Sequence, residues 1–232
     1  MREVVLDTET TGLDPKNGDR VVEIGAVELF NHMPTGRFFH KYLDPERVMP
    51  QEALAVHGLS DDFLKDKPKF AEIMHELVSF IGDSKMVIHN ASFDMRFLNA
   101  ELKKAGGAVY PEEQAIDTLL IARKKFPGAQ NSLDALCRRF NIDHSGREKH
   151  GALLDSELLS DVYLELIGGR QPGLVLSVDH DEKTKKFERI GQNDQKKRIK
   201  KLKGLITELE KANHKEFLKT LGKESIWSKY YC

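Results

Sequence analysis

Cysteine is scarce in this chain: Cys137 and Cys232 are the only two, too few for a disulfide framework and without histidine partners at zinc spacing. A disulfide-stapled scaffold and a cysteine-ligated zinc centre are therefore excluded, and Cys137, within LDALCRRF, is expected in the core. Long apolar runs are missing too. No stretch approaches the roughly 18 uninterrupted apolar residues of a membrane span. The opening MREVVLD runs straight into a strand instead of a signal-type apolar region, so a cytosolic protein without a membrane partner is expected. Net charge is nearly absent, at -1, but the cancellation hides an asymmetry. Residues 1–176 carry 21 Lys+Arg against 28 Asp+Glu, net -7, while residues 177–232 carry 15 against 9, net +6. An acidic folded part holds nucleic acid poorly by charge alone, unless metal ions neutralise its site or a partner delivers the substrate.

What is present, 232 residues of which 40% are hydrophobic and 31% charged, fits one good-sized domain plus an appendage. The segment VVLDTETTG over 4–12 starts as a strand covered on both faces, since Val4, Val5 and Leu6 are apolar without alternation. Strand side chains repeat every two residues, so Asp7 and Glu9 point the same way. Two like charges side by side in a covered strand are costly unless a cation sits between them, and a divalent ion with oxygen ligands is the simplest candidate. The alternative is a strand that ends in a polar turn punctuated by Gly12.

The rest of the first 170 residues reads as α/β. RVVEIGAVELF and RFFHKYLDP form two more strands, joined by the polar turn Asn31 to Gly36 with its Pro34, and three strands this close are antiparallel. KFAEIMHELVSFI spaces Phe70, Ile73, Met74, Leu77, Val78 and Ile81 as a helical stripe that packs on the sheet. KMVIHN is a short buried strand, and ASFDMRFLNAELKKAG is a helix ended by Gly106-Gly107, a parallel addition. A brief strand near Gln114–Ile116 precedes three helical segments, DTLLIARKKF, SLDALCRRFNI and LLDSELLSDVYLELI, the last ending at Gly168-Gly169. The expected fold class is thus a mixed central sheet of three antiparallel strands plus parallel additions, flanked by helices. The expected divisions are a domain over 1–170, a charged flexible linker over 171–200, and a small helical tail over 201–232.

Three further places put polar groups where packing does not ask for them. Asp94 falls in the first turn of a helix directly after a buried strand, a junction that commonly builds sites at the carboxyl end of a sheet; the plainer role is to complement the positive helix end. His150 precedes Asp155 by five positions, roughly 140° apart on a continuous helix. If Gly151 instead marks the loop before the helix, His150 rides a flexible entry beside a fixed Asp155, which suits a base next to a rigid ligand. A solvated, idle histidine is the plainer reading of His150, and a turn residue that of His57 in VHGLS.

Together, D-x-E on the first strand, Asp94 after a later strand and H-x4-D at the last domain helix resemble the DEDDh class of 3′-to-5′ exonucleases, on the ribonuclease H-like fold. Within that class the chain is most similar to the epsilon proofreading subunits of bacterial DNA polymerase III. VLDTETTGL, VVEIGAVE, PQEALAVHGLSDDFL, VIHNASFDMRFL, ARKKFPGAQNSLDALCRRFNID and HGALLDSELLSDVYLEL carry the likeness in order over 1–170. The resemblance implies a bacterial cytoplasmic enzyme that hydrolyses phosphodiester bonds at a DNA 3′ end, the primer terminus, with two divalent cations, Mg²⁺ or Mn²⁺. It implies that Asp7 bridges both ions, that Glu9 and Asp155 hold the one that activates water, and that Asp94 acts through coordinated water. His150 would accept the proton of the attacking water, and Glu52 and His57, with Asp7, Glu9 and Asp155, would contact the terminal nucleotide. Phe93, Phe97 and Tyr42 could stack on bases, although core packing explains their spacing equally well. An RNA-trimming exonuclease like ribonuclease T or oligoribonuclease, and a catalytically silent scaffold, are the alternatives; the tail speaks against the first and the full catalytic set against the second.

Beyond Gly169, QPGLVL resembles a short clamp-docking motif through Gln171, Leu174 and Leu176, or is an ordinary linker start. In the tail, Ile206 and Leu209 and then a second helical stretch with Phe217, Leu218 and Leu221 precede Trp227. This apolar set is too short to bury itself. By resemblance it docks on the polymerase catalytic (alpha) subunit; a basic tail gripping DNA is the alternative. A small theta-like subunit on the nuclease domain is left open.

Overall fold

The computed structural model describes residues 1–145, 149–168 and 206–221. The 171–200 segment with Gln171, Leu174 and Leu176, and Trp227, lie outside the described residues. The chain divides into two units, Met1–Val175 and Leu176–Cys232.

In the first unit, β1 (Arg2–Thr10), β2 (Val21–Phe30), β3 (Met33–Tyr42), β4 (Lys85–Ile88) and β5 (Ala115–Asp117) form one sheet in the order β3-β2-β1-β4-β5. β1–β2 and β2–β3 pair antiparallel, whereas β4 and β5 add in parallel on the other side of β1, so the expected mixed sheet is the observed one. Val4, Val5 and Leu6 of the central strand are wholly buried, each worth about 1.5–3 kcal/mol of transfer from water. The even positions, Val4 and Leu6, pack with Ile24, Met86 and Ile88 under α3 (Phe70–Ile81) and α4 (Ala91–Lys104). The odd Val5 packs with Val87, Leu159 and Tyr163 under α7 (Ala152–Ile167). α5 (Thr118–Lys125) and α6 (Leu133–Phe140) close a satellite core on α7 with Ala122, Leu136 and Cys137, which places Cys137 in the core as expected.

Local departures have local causes. The β2–β3 connection is only Asn31-His32, both with positive φ (50° and 65°), the conformation that suits a tight hairpin turn. Pro34, expected in that turn, lies inside β3 because this is an edge strand, where a missing N–H costs little. Val78, expected in the apolar stripe of α3, is 38% exposed, since the rest of the stripe already covers the sheet. Two helices were not foreseen, α1 (Gln51–His57) and α2 (Asp61–Leu64). Their signals are Gly58, left-handed (φ 76°) at the end of α1, and Ser60, whose hydroxyl accepts from the Phe63 N–H to start α2. Met49 and Leu64 anchor the pair on Val22.

Among the described residues the second unit is one helix, α8 (Glu208–Thr220), started by a capping box between Thr207 and Glu210. Leu209, Phe217 and Leu218 thus share one continuous helix, with Ile206 before it and Leu221 after it, where the sequence suggested two stretches.

Candidate active site

Val5, Asp7 and Glu9 alternate onto the α7 side of β1, while Thr8 turns to α4. α7 can approach the strands because Gly25, opposite Asp7 in the register, has no side chain: a methyl there would come within 2.2 Å of the Ala152 backbone. Ser156 seals the contact, its hydroxyl donating to the Gly25 carbonyl at 2.9 Å. Asp155, one turn into α7, is thereby set against the end of β1. Its N–H donates to the Gly151 carbonyl, so the helix starts after His150 and the loop-entry reading of His150 is the observed one. The His150 backbone N–H donates to the Val56 carbonyl of α1, and its ring Nδ1 stands 3.4 Å from Asp155 Oδ2.

Asp94 arrives from the opposite face. Asn90, in the left-handed region (φ 65°), turns the chain sharply from β4 into α4, and Asp94 Oδ1 accepts from the Thr8 N–H and hydroxyl at 3.1 and 2.7 Å. Burial pushes the Asp94 carboxyl up to about 7 against the pull of the Thr8 hydroxyl. Asp7, Glu9, Asp94, His150 and Asp155 therefore line a single cleft of about 1040 Å³. Glu9, His150 and Asp155 each bring one ligand atom within 4.8 Å of the others. Three of these carboxylates, Glu9, Asp94 and Asp155, are no more than 8% exposed. So much buried like charge is costly without a counter-ion. The donor set is carboxylate oxygen with one imidazole and no thiolate, which fits hard divalent cations.

The substrate-side expectations separate. Glu52 is exposed on α1 and His57 is buried at its end, and neither is among the described residues that line the cleft. His57 Nδ1 accepts from the Leu59 N–H at 3.0 Å, which leaves the hydrogen on Nε2. That atom is buried beside the Thr10 backbone without a hydrogen bond of normal geometry, and burial pushes the His57 pKa down. Phe97 is wholly buried, which corrects the idea that it stacks on bases; Phe93, packed against it at 4.9 Å, does line the cleft. Tyr42 is half-buried against Phe63.

The opposite wall escaped the sequence reading. His89 and Asn90 at the end of β4, Leu119 and Arg123 on α5, and the loop from Pro127 to Ser132 line it. The available signals were the His-Asn that closes the apolar KMVI and the turn cluster PGAQNS.

The Exonuclease family model matches residues 4–163. DNA polymerase III subunit epsilon of Rickettsia felis is 49% identical over 227 residues, 96% of this chain and 98% of that one; its Escherichia coli counterpart is 48% identical over 176 residues, 73% of this chain and 72% of that one. Among solved structures, exonuclease X in complex with 5′-overhanging duplex DNA superposes with a TM-score of 0.58 at 26% identity, over 71% of this chain and 90% of that one. The nuclease domain of 3′hExo, a DEDDh family member bound to rAMP, shares the fold at a TM-score of 0.62 and 18% identity, over 72% of this chain and 91% of that one. A family match across nearly all of the first unit, and near one-half identity along the whole of a relative, place the chain in the exonuclease family, among the epsilon subunits of bacterial DNA polymerase III.

Proposed function

We propose that the cleft hydrolyses the last phosphodiester bond at a DNA 3′ end and that Asp7, Glu9, Asp94, His150 and Asp155 carry the reaction. The observation behind this reading is the meeting of Glu9, His150 and Asp155 from a strand, a loop and a helix within 4.8 Å. The class depends on divalent metal, and Asp7, Glu9, Asp94 and Asp155 are the residues that would hold two such ions, Mg²⁺ or Mn²⁺. When bound they supply Lewis acidity to the attacking and leaving oxygens. His150, with Nδ1 turned to Asp155, takes the proton of the attacking water on Nε2. Thr8 fixes the Asp94 carboxylate from two donors, so that group keeps its orientation through turnover. His57 and Glu52, both on α1, would contact the 3′-terminal nucleotide.

Hydrolysis of a mispaired primer end and of a single-stranded RNA of equal length, both with Mg²⁺, tests the substrate. The mispaired DNA is expected to be degraded faster; faster loss of the RNA would favour the RNA-trimming alternative.

The functional divisions follow as a nuclease domain over 1–170, a linker over 171–200 whose Gln171, Leu174 and Leu176 reach a sliding clamp, and a tail over 201–232 that docks on the polymerase catalytic subunit. A theta-like subunit would sit on the first unit. Ile206, Leu209, Phe217 and Leu221 are 45–71% exposed within their own unit, an apolar set that a purely electrostatic grip on DNA does not need. Trp227 completes the set. Tethering would hold the nuclease near the primer end at an effective concentration of order millimolar, which offsets the acidic domain's weak hold on DNA. Deleting 201–232 should abolish co-purification with the catalytic subunit and leave hydrolysis of short single strands intact. Retained co-purification, in the truncation or in Phe217→Ala with Trp227→Ala, would remove the docking role.

A further inference from the structure

The cleft wall opposite the carboxylates holds a cation that the chemistry described so far does not use. α5 ends in three consecutive basic residues, Arg123, Lys124 and Lys125. Lys125 is committed to structure, its Nζ donating to the Glu165 and Leu166 carbonyls at the end of α7. Arg123 lies one helical turn after Leu119, and this shared face lines the cleft, while Lys124 is directed elsewhere. Arg123 makes no ion pair among the described residues. It stands near His89, whose pKa is lowered first by burial and also by the Arg123 charge. Of the described residues lining the cleft it is the sole side chain with a permanent positive charge, and it shares that lining with Asp7, Glu9, Asp94, Asp134 and Asp155.

A cation with no ion pair among the described residues, in a cleft with so many carboxylates, is placed to meet an anion that arrives with the substrate. The cleft, at about 1040 Å³, lies at the top of the roughly 300–1,000 Å³ range of single-ligand pockets, so it has room upstream of the terminal nucleotide. We propose that Arg123 binds the backbone phosphate next upstream of the scissile one and thereby makes the enzyme prefer an oligonucleotide to a lone nucleotide ester. The proposal rests on the exonuclease reading of the same cleft. A planar guanidinium accepts a phosphate through two parallel N–H donors, which a lysine ammonium cannot reproduce.

The test compares two substrates: a short single-stranded DNA, and the p-nitrophenyl ester of thymidine 5′-monophosphate, which has a scissile phosphate and no upstream one. In Arg123→Ala the ratio of kcat/KM on DNA to kcat/KM on the ester should fall roughly tenfold, mostly through KM on DNA. The slope of log kcat/KM against log salt for DNA should become shallower by about 0.7, the share of one phosphate contact on a single strand. Arg123→Lys should restore part of the ratio, and Lys124→Ala, which removes equal charge beside the cleft, should leave it as it was. An equal fall in Arg123→Ala and Lys124→Ala, or a parallel fall on both substrates, would overturn the assignment. A constant ratio with both rates high would overturn it and leave the exonuclease reading standing; an unsubstituted chain that splits neither substrate would overturn both.

Discussion

Asp7→Ala and Glu9→Ala should each lose hydrolysis to below detection with Mg²⁺ while the chain keeps its fold. Both side chains leave β1 toward α7, and Glu9 faces Glu23 directly across the β1–β2 ladder, a like-charge pair with both members nearly buried. Removing Glu9 relieves that repulsion, and removing Asp7 relieves the one between Asp7 and Glu9 on the same face of β1, so thermal stability should hold or rise even as a proposed metal ligand is lost. Turnover and melting temperature measured on the same preparations separate the two effects. Near-normal turnover in either variant would sink the two-metal reading, and a collapse in melting temperature would show that these carboxylates are structural.

His150→Ala should lower the rate by roughly 10²–10⁴, the usual share of a positioned general base, and spare divalent-ion binding. His150 is half exposed and its backbone N–H holds the loop to α1, an anchor that truncation of the side chain leaves in place. Single-turnover rates beside a Mn²⁺ titration decide the point. The ring also lies within ligand reach of Glu9 and Asp155; a loss of metal affinity as large as the loss of rate would make His150 a ligand and not the base.

The sheet and the carboxylate end of the site were legible because they obey short-range rules. Period-two alternation put Asp7 and Glu9 on one face, and Gly151 before a helical stripe left His150 outside the helix that carries Asp155. The opposite wall was not legible, because a loop such as Pro127–Ser132 meets β1 only through tertiary packing. The six-residue turn expected between β2 and β3 failed for a similar reason: Pro34 signals a turn unless the strand is known to be at an edge. His57 reads as a turn residue, yet it is 5% exposed, and only tertiary packing sets its ring against the Thr10 backbone.

Gly25 leaves the enzyme with a reference surface that changes in interior side chains do not reach. Where side chains meet, a helix can drift by fractions of an ångström as volumes change, since each methylene is felt and partly absorbed by its neighbours. At Gly25 the start of α7 rests on bare β2 backbone, so the spacing from Glu9 to Asp155 is set by main-chain dimensions that are the same whatever residues fill the interior. Exchanges of core residues should therefore leave the spacing between these two carboxylates unchanged, and an engineer who wants a different spacing must begin at this contact.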